Sequence, residues 1–207
     1  MENICIFGAG SENVDRAYMS EAYTLGKYLA QNGYGLVFGG GNTGLMGQAA
    51  RGAHDNNAPE IVGIAPEFMN APGVLYKNCS RLILTDTMHE RKQAMEAMAD
   101  AFVILPGGMG TYEEFFEVLT HKTLGLHKKA IVLLNTSHYF DPVIHLMEET
   151  ARQQFMTQDC LLAVQVANSP KQVIECLDNY EYKEITPKWL SRIPKASDTF
   201  RDRYKEE

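Results

Sequence analysis

A carboxylate stands one turn behind a glycine loop in the stretch Pro106-Gly107-Gly108-Met109-Gly110-Thr111-Tyr112-Glu113-Glu114. Glycines at 107, 108 and 110 let the backbone approach a ligand closely, and N–H groups at a helix start can hold an anion. Thr111 adds a hydroxyl, and a carboxylate in such a place can move a proton or stabilise a cation. At about 100° per residue, Tyr112, Phe115, Phe116, Val118 and Leu119 make one apolar face. Glu113 and Glu117 point away from it, and Glu114 lies on its border beside Thr111. The plain structural reading of the same letters is a capping box, Thr111-x-x-Glu114, in which the acid only satisfies a helix-terminal amide.

A second segment, Met88-His89-Glu90-Arg91-Lys92, bears on that choice. Met88, Arg91, Met95 and Met98 recur at three- and four-residue steps, so Arg91 shares a face with three methionines. A guanidinium in a buried stripe needs an anion, because an uncompensated buried charge costs several kcal/mol, on the order of 3–5. The anion is either Glu114, in a salt bridge, or a ligand phosphate, and the two coexist if both side chains face one pocket.

A third segment, Gly39-Gly40-Gly41-Asn42-Thr43-Gly44, contains GxGxxG between a strand and a helix. It is either a phosphate cradle or a turn required for tight strand–helix packing. Leu45 and Met46 follow where a Walker A loop needs Lys and Ser or Thr. His89-Glu90 approaches HExxH, but Gln93 replaces the second histidine, and the four cysteines form no CxxC pair, so no metal site is expected.

These loops must be held by a regular scaffold. Apolar, β-branched runs at 4–7, 36–38, 61–64, 82–84, 102–105, 131–134 and 163–166 predict strands, and helical periodicity is predicted at 14–31, 45–56, 88–99, 112–124, 140–153 and 171–180. Alternation of continuously apolar strands with helices implies a Rossmann-like α/β fold, a doubly wound parallel sheet of about seven strands with helices on both faces. Ligands of such sheets sit outside the carboxyl ends of the strands, which is where the three glycine clusters fall. Residues 1–180 read as a single nucleotide-binding domain, and 181–207 as a charged C-terminal arm that docks through Trp189.

With 45% hydrophobic and 22% charged residues, the 207-residue chain has the make-up of a globular protein. Its formal net charge of -7 opposes binding of extended nucleic acid, while leaving room for a small anion where positive groups converge. The first residues have no basic region before a short apolar run, and no apolar stretch reaches bilayer length. A cytoplasmic protein without membrane partners is expected.

Taken together, Gly39 to Gly47, the Met88–Lys92 segment, the Pro106–Glu114 loop, Leu124-Gly125-Leu126-His127-Lys128 and Tyr139-Phe140-Asp141-Pro142 resemble the LONELY GUY (LOG) family. The resemblance runs from the first strand to about Tyr180. It implies cytokinin riboside 5′-monophosphate phosphoribohydrolase activity, releasing free base and ribose 5-phosphate, in a homodimer with no metal or redox cofactor. Arg91 and Glu114 match the family's catalytic pair. Lys92, Gly107, Gly108, Gly110, Thr111 and Glu113, with the turn Gly40, Gly41, Asn42 and Thr43, match positions that hold the nucleotide. Met88 and Met109 stand inside the same motifs, and Thr120 falls on a family threonine near the pocket. The chain departs from the family pattern at Phe7-Gly8-Ala9-Gly10-Ser11, at Thr87 and at His121, positions that bear on the choice of base.

Two other functions fit parts of the sequence. Gly39, Gly41, Gly44 and Glu67 match a dinucleotide oxidoreductase, but leave Arg91 and Glu114 unexplained. A non-catalytic nucleotide or cofactor carrier would use the same glycine loops without cleaving its ligand. A lysine decarboxylase, a label often given to this family, would need the Ser-x-His-Lys pattern of a Schiff-base lysine, and this sequence has Leu119-Thr120-His121-Lys122 in its place.

Overall fold

A computed structural model describes residues 1–185 of the chain. Seven strands, β1 (Asn3–Phe7), β2 (Gly35–Phe38), β3 (Ile61–Pro66), β4 (Arg81–Thr85), β5 (Ala101–Ile104), β6 (Ala130–Leu134) and β7 (Gln165–Ala167), form one parallel sheet in the order β4-β3-β2-β1-β5-β6-β7. The connecting helices are α1 (Arg16–Gln31), α2 (Gly44–Asp55), α3 (Met88–Met98), α4 (Met109–Thr123), α5 (Asp141–Arg152) and α6 (Pro170–Asp178). The expected doubly wound sheet is therefore present, with each predicted element in place and its ends shifted by three residues at most.

Side chains alternate across a strand, and the core divides accordingly. Ile4 and Ile6 of β1 and Leu36 and Phe38 of β2 face α1, α2 and α6, represented by Leu25, Ala49 and Val173. Cys5 and Phe7 face the opposite layer, with Met95 of α3, Phe115 of α4 and Met147 of α5. Strand order reverses between β1 and β5, so their outgoing loops serve opposite layers and leave a crevice between them. Those two loops are tied at the root, where Ala9 N–H donates to the Pro106 carbonyl at 3.0 Å.

The continuously apolar reading holds for the inner strands but not for β4. Leu82 and Leu84 remain 41% and 38% exposed. β4 is an edge strand with one neighbour, so its apolar composition does not report burial on both faces. At the other end, Ile185 is buried against the α3–α5 layer, and Tyr180 Oη donates to the Lys128 carbonyl at 2.9 Å. Trp189, expected to dock the C-terminal arm, lies outside the described residues.

Helices α1 and α2 cross at glycines. A Cβ on Gly26 would stand 1.9 Å from the Ala49 carbonyl oxygen, and one on Gly52 would stand 2.0 Å from that of Tyr23. Alanine in a helix interior ordinarily gains about 1 kcal/mol over glycine. Contact with a neighbouring backbone cannot be relieved by a rotamer change, and overpacking of this kind costs about 1–3 kcal/mol. Gly26→Ala should therefore lower the urea midpoint at unchanged m-value; a raised midpoint would show that the helices do not approach this closely.

Candidate active site

Helix α3 begins with a capping box that the residue pattern carried unnoticed. The Thr87 hydroxyl accepts from Glu90 N–H at 3.1 Å, and the Glu90 carboxylate accepts from the N–H groups of Thr87 and Asp86 at 3.1 and 3.0 Å. One residue farther on, Arg91 turns inward and is buried, as is Met95 one turn below. Its Nε donates to the Ile64 carbonyl of β3 at 3.1 Å, and its Nη1 donates to Glu114 Oε1 at 2.9 Å. Both ends of this ion pair are buried, Arg91 at 5% and Glu114 at 8% exposure. A guanidinium carries five N–H donors. Subtracting these two leaves three that make no protein hydrogen bond among the described residues, available to an anion.

A methyl group on the neighbouring β2 loop would exclude this arrangement. A Cβ at Gly39 would stand 2.0 Å from Arg91 Nη2. The first glycine of the GxGxxG turn is thus required by the arginine. The last one is required by packing, since a Cβ at Gly44, whose φ is +64°, would meet the Ala9 carbonyl oxygen at 2.4 Å. The N–H groups at the start of α2 are already occupied: Leu45 and Met46 donate to the Ala9 carbonyl at 2.8 and 3.4 Å, and the Thr43 hydroxyl donates to that of Gly10 at 2.8 Å. Between phosphate cradle and packing turn, the contacts here are those of a packing turn.

Helix α4 is built differently. It starts at Met109 with Gly108 as N-cap and no side-chain cap, so Thr111 sits inside the first turn and no Thr111–Glu114 capping box forms. Thr111 is too far into the helix to be its cap, and Glu114 is turned to Arg91. Its first-turn N–H groups, from Met109 to Thr111, make no hydrogen bond among the described residues, and they carry the positive end of a 15-residue helix. Gly107 is fixed by crowding, because a Cβ there would meet Thr111 Oγ1 at 2.0 Å.

These pieces enclose a cleft of about 270 Å³, whose walls include Gly8 to Gly10 of the β1 loop, Gly39 and Gly41 of the β2 loop, Arg91, Gly108, Gly110, Thr111 and Glu114. Met46, Met69 and Met88 supply an apolar wall. Met69 lies in a short turn after β3 that the sequence did not single out; its position beyond a strand's carboxyl end was the available signal. Burial raises the pKa of Glu114 above the ordinary 4.5, against the opposing pull of Arg91. A larger hollow of about 550 Å³ lies in the β3–β4 connection, where Lys77 is the charged lining residue and no acid–base pair is present.

The other anticipated residues divide into two groups. Gly40 is buried at the turn with φ +72°, and its carbonyl accepts from Tyr76 N–H; Asn42 is held by Arg51 and the Val74 carbonyl. Lys92 is bound to Glu113 and to Glu117, the latter at 2.9 Å, outside the cleft wall. Burial lowers the pKa of Lys92, but its two carboxylate partners outweigh that and hold it raised. Met109 is 79% exposed at the rim, while Thr120 lies in a separate groove with Phe116 and Leu146. His121, one of the departures expected near the nucleotide, instead pairs with Glu96 of α3 at 2.9 Å. Glu67, the candidate ribose acid of a dehydrogenase, is exposed and accepts from Asn70.

Comparison with known proteins places the chain among relatives. The profile of the family described as "Possible lysine decarboxylase" matches residues 46–177. The chain is similar to the cytokinin riboside 5′-monophosphate phosphoribohydrolase LOG of Oryza sativa subsp. japonica, at 33% identity over 92% of this chain and 79% of the relative. A cytokinin riboside 5′-monophosphate phosphoribohydrolase of Rhodococcoides fascians is 38% identical over 75% of this chain and 79% of its own length. Among solved structures, the molybdenum cofactor binding protein of Rippkaea orientalis superposes with a TM-score of 0.66 at 23% identity, covering 86% of this chain and 95% of that one, a likeness of fold. By its matched profile and its relatives, and with the motif residues Arg91 and Glu114 meeting in one cleft, the chain belongs to the LONELY GUY family.

Proposed function

We propose that the protein hydrolyses the N-glycosidic bond of a nucleoside 5′-monophosphate, a cytokinin riboside 5′-monophosphate or AMP, to free base and ribose 5-phosphate. The observation that carries this reading is the buried Arg91–Glu114 pair at the wall of a cleft whose other side is the uncapped start of α4. The 5′-phosphate is held by the free N–H groups from Gly108 to Thr111 and by the Thr111 hydroxyl. Glu114 lies one turn deeper, where C1′ of the sugar comes to rest.

Bond cleavage sends the electron pair of the C1′–N bond to the base and leaves oxocarbenium character on the ribose. The Glu114 carboxylate stabilises that charge and accepts a proton from the attacking water, whose oxygen bonds to C1′; one proton ends on the base nitrogen. Arg91 keeps the carboxylate ionised and oriented, and its spare donors face the ligand. A homodimer, implied by the family resemblance, fits the apolar groove between α4 and α5, where Phe116 and Leu146 are exposed.

Incubation with AMP and with isopentenyladenosine 5′-monophosphate, followed by chromatography, should detect free base. Glu114→Gln should lower turnover by roughly a hundredfold or more while sparing nucleotide binding, the scale of losing a group aimed at transition-state charge. Arg91→Ala should lose turnover and part of the affinity. Nucleotide bound by wild type without release of base would favour a carrier.

The ionisation of Glu114 gives a second check. Because burial outweighs Arg91, its pKa lies above 4.5, so the active carboxylate is lost as pH falls at a higher pH than for an exposed glutamate. A carbon-13 NMR titration of the free protein should place the Glu114 midpoint above 4.5; a midpoint at or below that value would mean that Arg91 dominates.

A further inference from the structure

One stretch of the resemblance, Tyr139-Phe140-Asp141-Pro142, has no part in the cleft described so far. Tyr139 does not border the cleft; it lines an adjoining hollow of about 210 Å³ that shares Ala9 and Gly108 with it. From there its Oη donates to the Gly107 carbonyl at 2.5 Å, while the Tyr112 Oη donates to the Tyr139 oxygen at 3.1 Å.

The loop that presents Tyr139 is built for the purpose. Ser137 and His138, the two residues before it, both have left-handed backbone, with φ of +51° and +60°. Non-glycine residues in this region are strained and persist only where surroundings over-determine them. The surroundings here are Asn135, buried, whose Oδ1 accepts from Phe140 N–H at 2.7 Å and whose Nδ2 donates to Asp141 at 2.8 Å, and the Tyr18 ring set edge-on to Tyr139 at 6.0 Å. Burial, followed by the contact with Tyr112, pushes the Tyr139 phenol up to about 12, so it stays a donor across the physiological range.

In a trans peptide the carbonyl and the following N–H point in opposite directions. A Gly107 carbonyl drawn to Tyr139 therefore turns the Gly108 N–H away from that hollow, to the cleft side that Gly108 also lines. Glycine peptides have little steric preference to prevent a flip.

We infer that Tyr139 is a positioning residue that locks the Gly107–Gly108 peptide so that the Gly108 N–H faces the cleft as a phosphate donor, with Tyr112 reinforcing the lock. This rests on the reading of the cleft as a site for a nucleoside 5′-monophosphate. The lock acts on the phosphate end of the ligand and leaves the base end alone, which separates it from a packing role.

Calorimetric titration with ribose 5-phosphate and, separately, with adenine tests it on wild type, Tyr139→Phe and Tyr112→Phe. Tyr139→Phe keeps the ring and removes the donor; it should weaken ribose 5-phosphate binding roughly tenfold, the scale of one charge-assisted hydrogen bond, and leave adenine binding unchanged. Tyr112→Phe, which only supports the lock, should show a smaller loss of the same kind. Equal loss of both ligands in a folded Tyr139→Phe protein would show a packing role and overturn the inference, as would unchanged ribose 5-phosphate binding. Wild type that binds no ribose 5-phosphate would overturn the reading of the cleft itself, and the lock with it.

Discussion

The ion pair between Arg91 and Glu114 sets the terms for everything around it. Two buried charges repay their desolvation only with close geometry and further hydrogen bonds, and this pair has both, at 2.9 Å with the Ile64 carbonyl as an additional acceptor. That one requirement reaches into three elements. The Thr87–Glu90 capping box fixes the start of α3 so that Arg91 turns inward. β3 must end where its Ile64 carbonyl can meet Nε, and the β2 loop must carry glycine at 39, since any side chain there would occupy the space of Nη2. With Arg91 so held, its guanidinium stands at the wall of the cleft.

The second organising constraint is the division of labour between two helix starts. Both α2 and α4 follow glycine loops and both lack a side-chain cap. At α2 the loose N–H groups are satisfied by the Ala9 carbonyl, which binds the β1 loop to the β2 loop. At α4 they are left without partners among the described residues, beside the cleft. An anion is attracted to a helix start whose donors are free, so one glycine loop is a structural clamp while the other leaves its helix start open to the cleft.

This difference explains what could and could not be read in advance. The seven strands, six helices and the placement of the glycine loops followed from periodicity, because continuous apolar runs and 3.6-residue spacing record which faces must be buried. The meeting of Arg91 with Glu114 followed from one charged residue in an otherwise methionine stripe. The letters allow a Thr111–Glu114 capping box as the plain structural reading, whereas the box that forms is Thr87 and Glu90; the four-residue pattern is the same, and only the helix start, set by Gly108, distinguishes them. Lys92, Glu113 and Thr120 stand on the same helices as the cleft residues yet lie outside its walls, since adjacent letters on a helix lie about 100° apart. The exposure of Leu82 and Leu84 depends on β4 being an edge, which its own letters do not encode.

The lysines of this chain do not fit a decarboxylase, the activity that the family's description suggests. A Schiff-base lysine must stand in a ligand site with its amine free to attack a carbonyl. Among the described residues Lys122 is the buried lysine, and burial brings its pKa down to about 8, the direction such chemistry favours. Yet its Nζ donates to the Ala163 carbonyl at 2.7 Å and lies 4.9 Å over the Tyr180 ring, where it fastens α4 to the segment before β7. Lys92, next to the cleft in sequence, is held by Glu113 and Glu117. The groups that do line the cleft are a guanidinium, a carboxylate and free backbone N–H donors. A depressed lysine pKa here reports structural burial, and among the described residues no lysine stands at the wall of the cleft, where the buried Arg91–Glu114 pair lies instead.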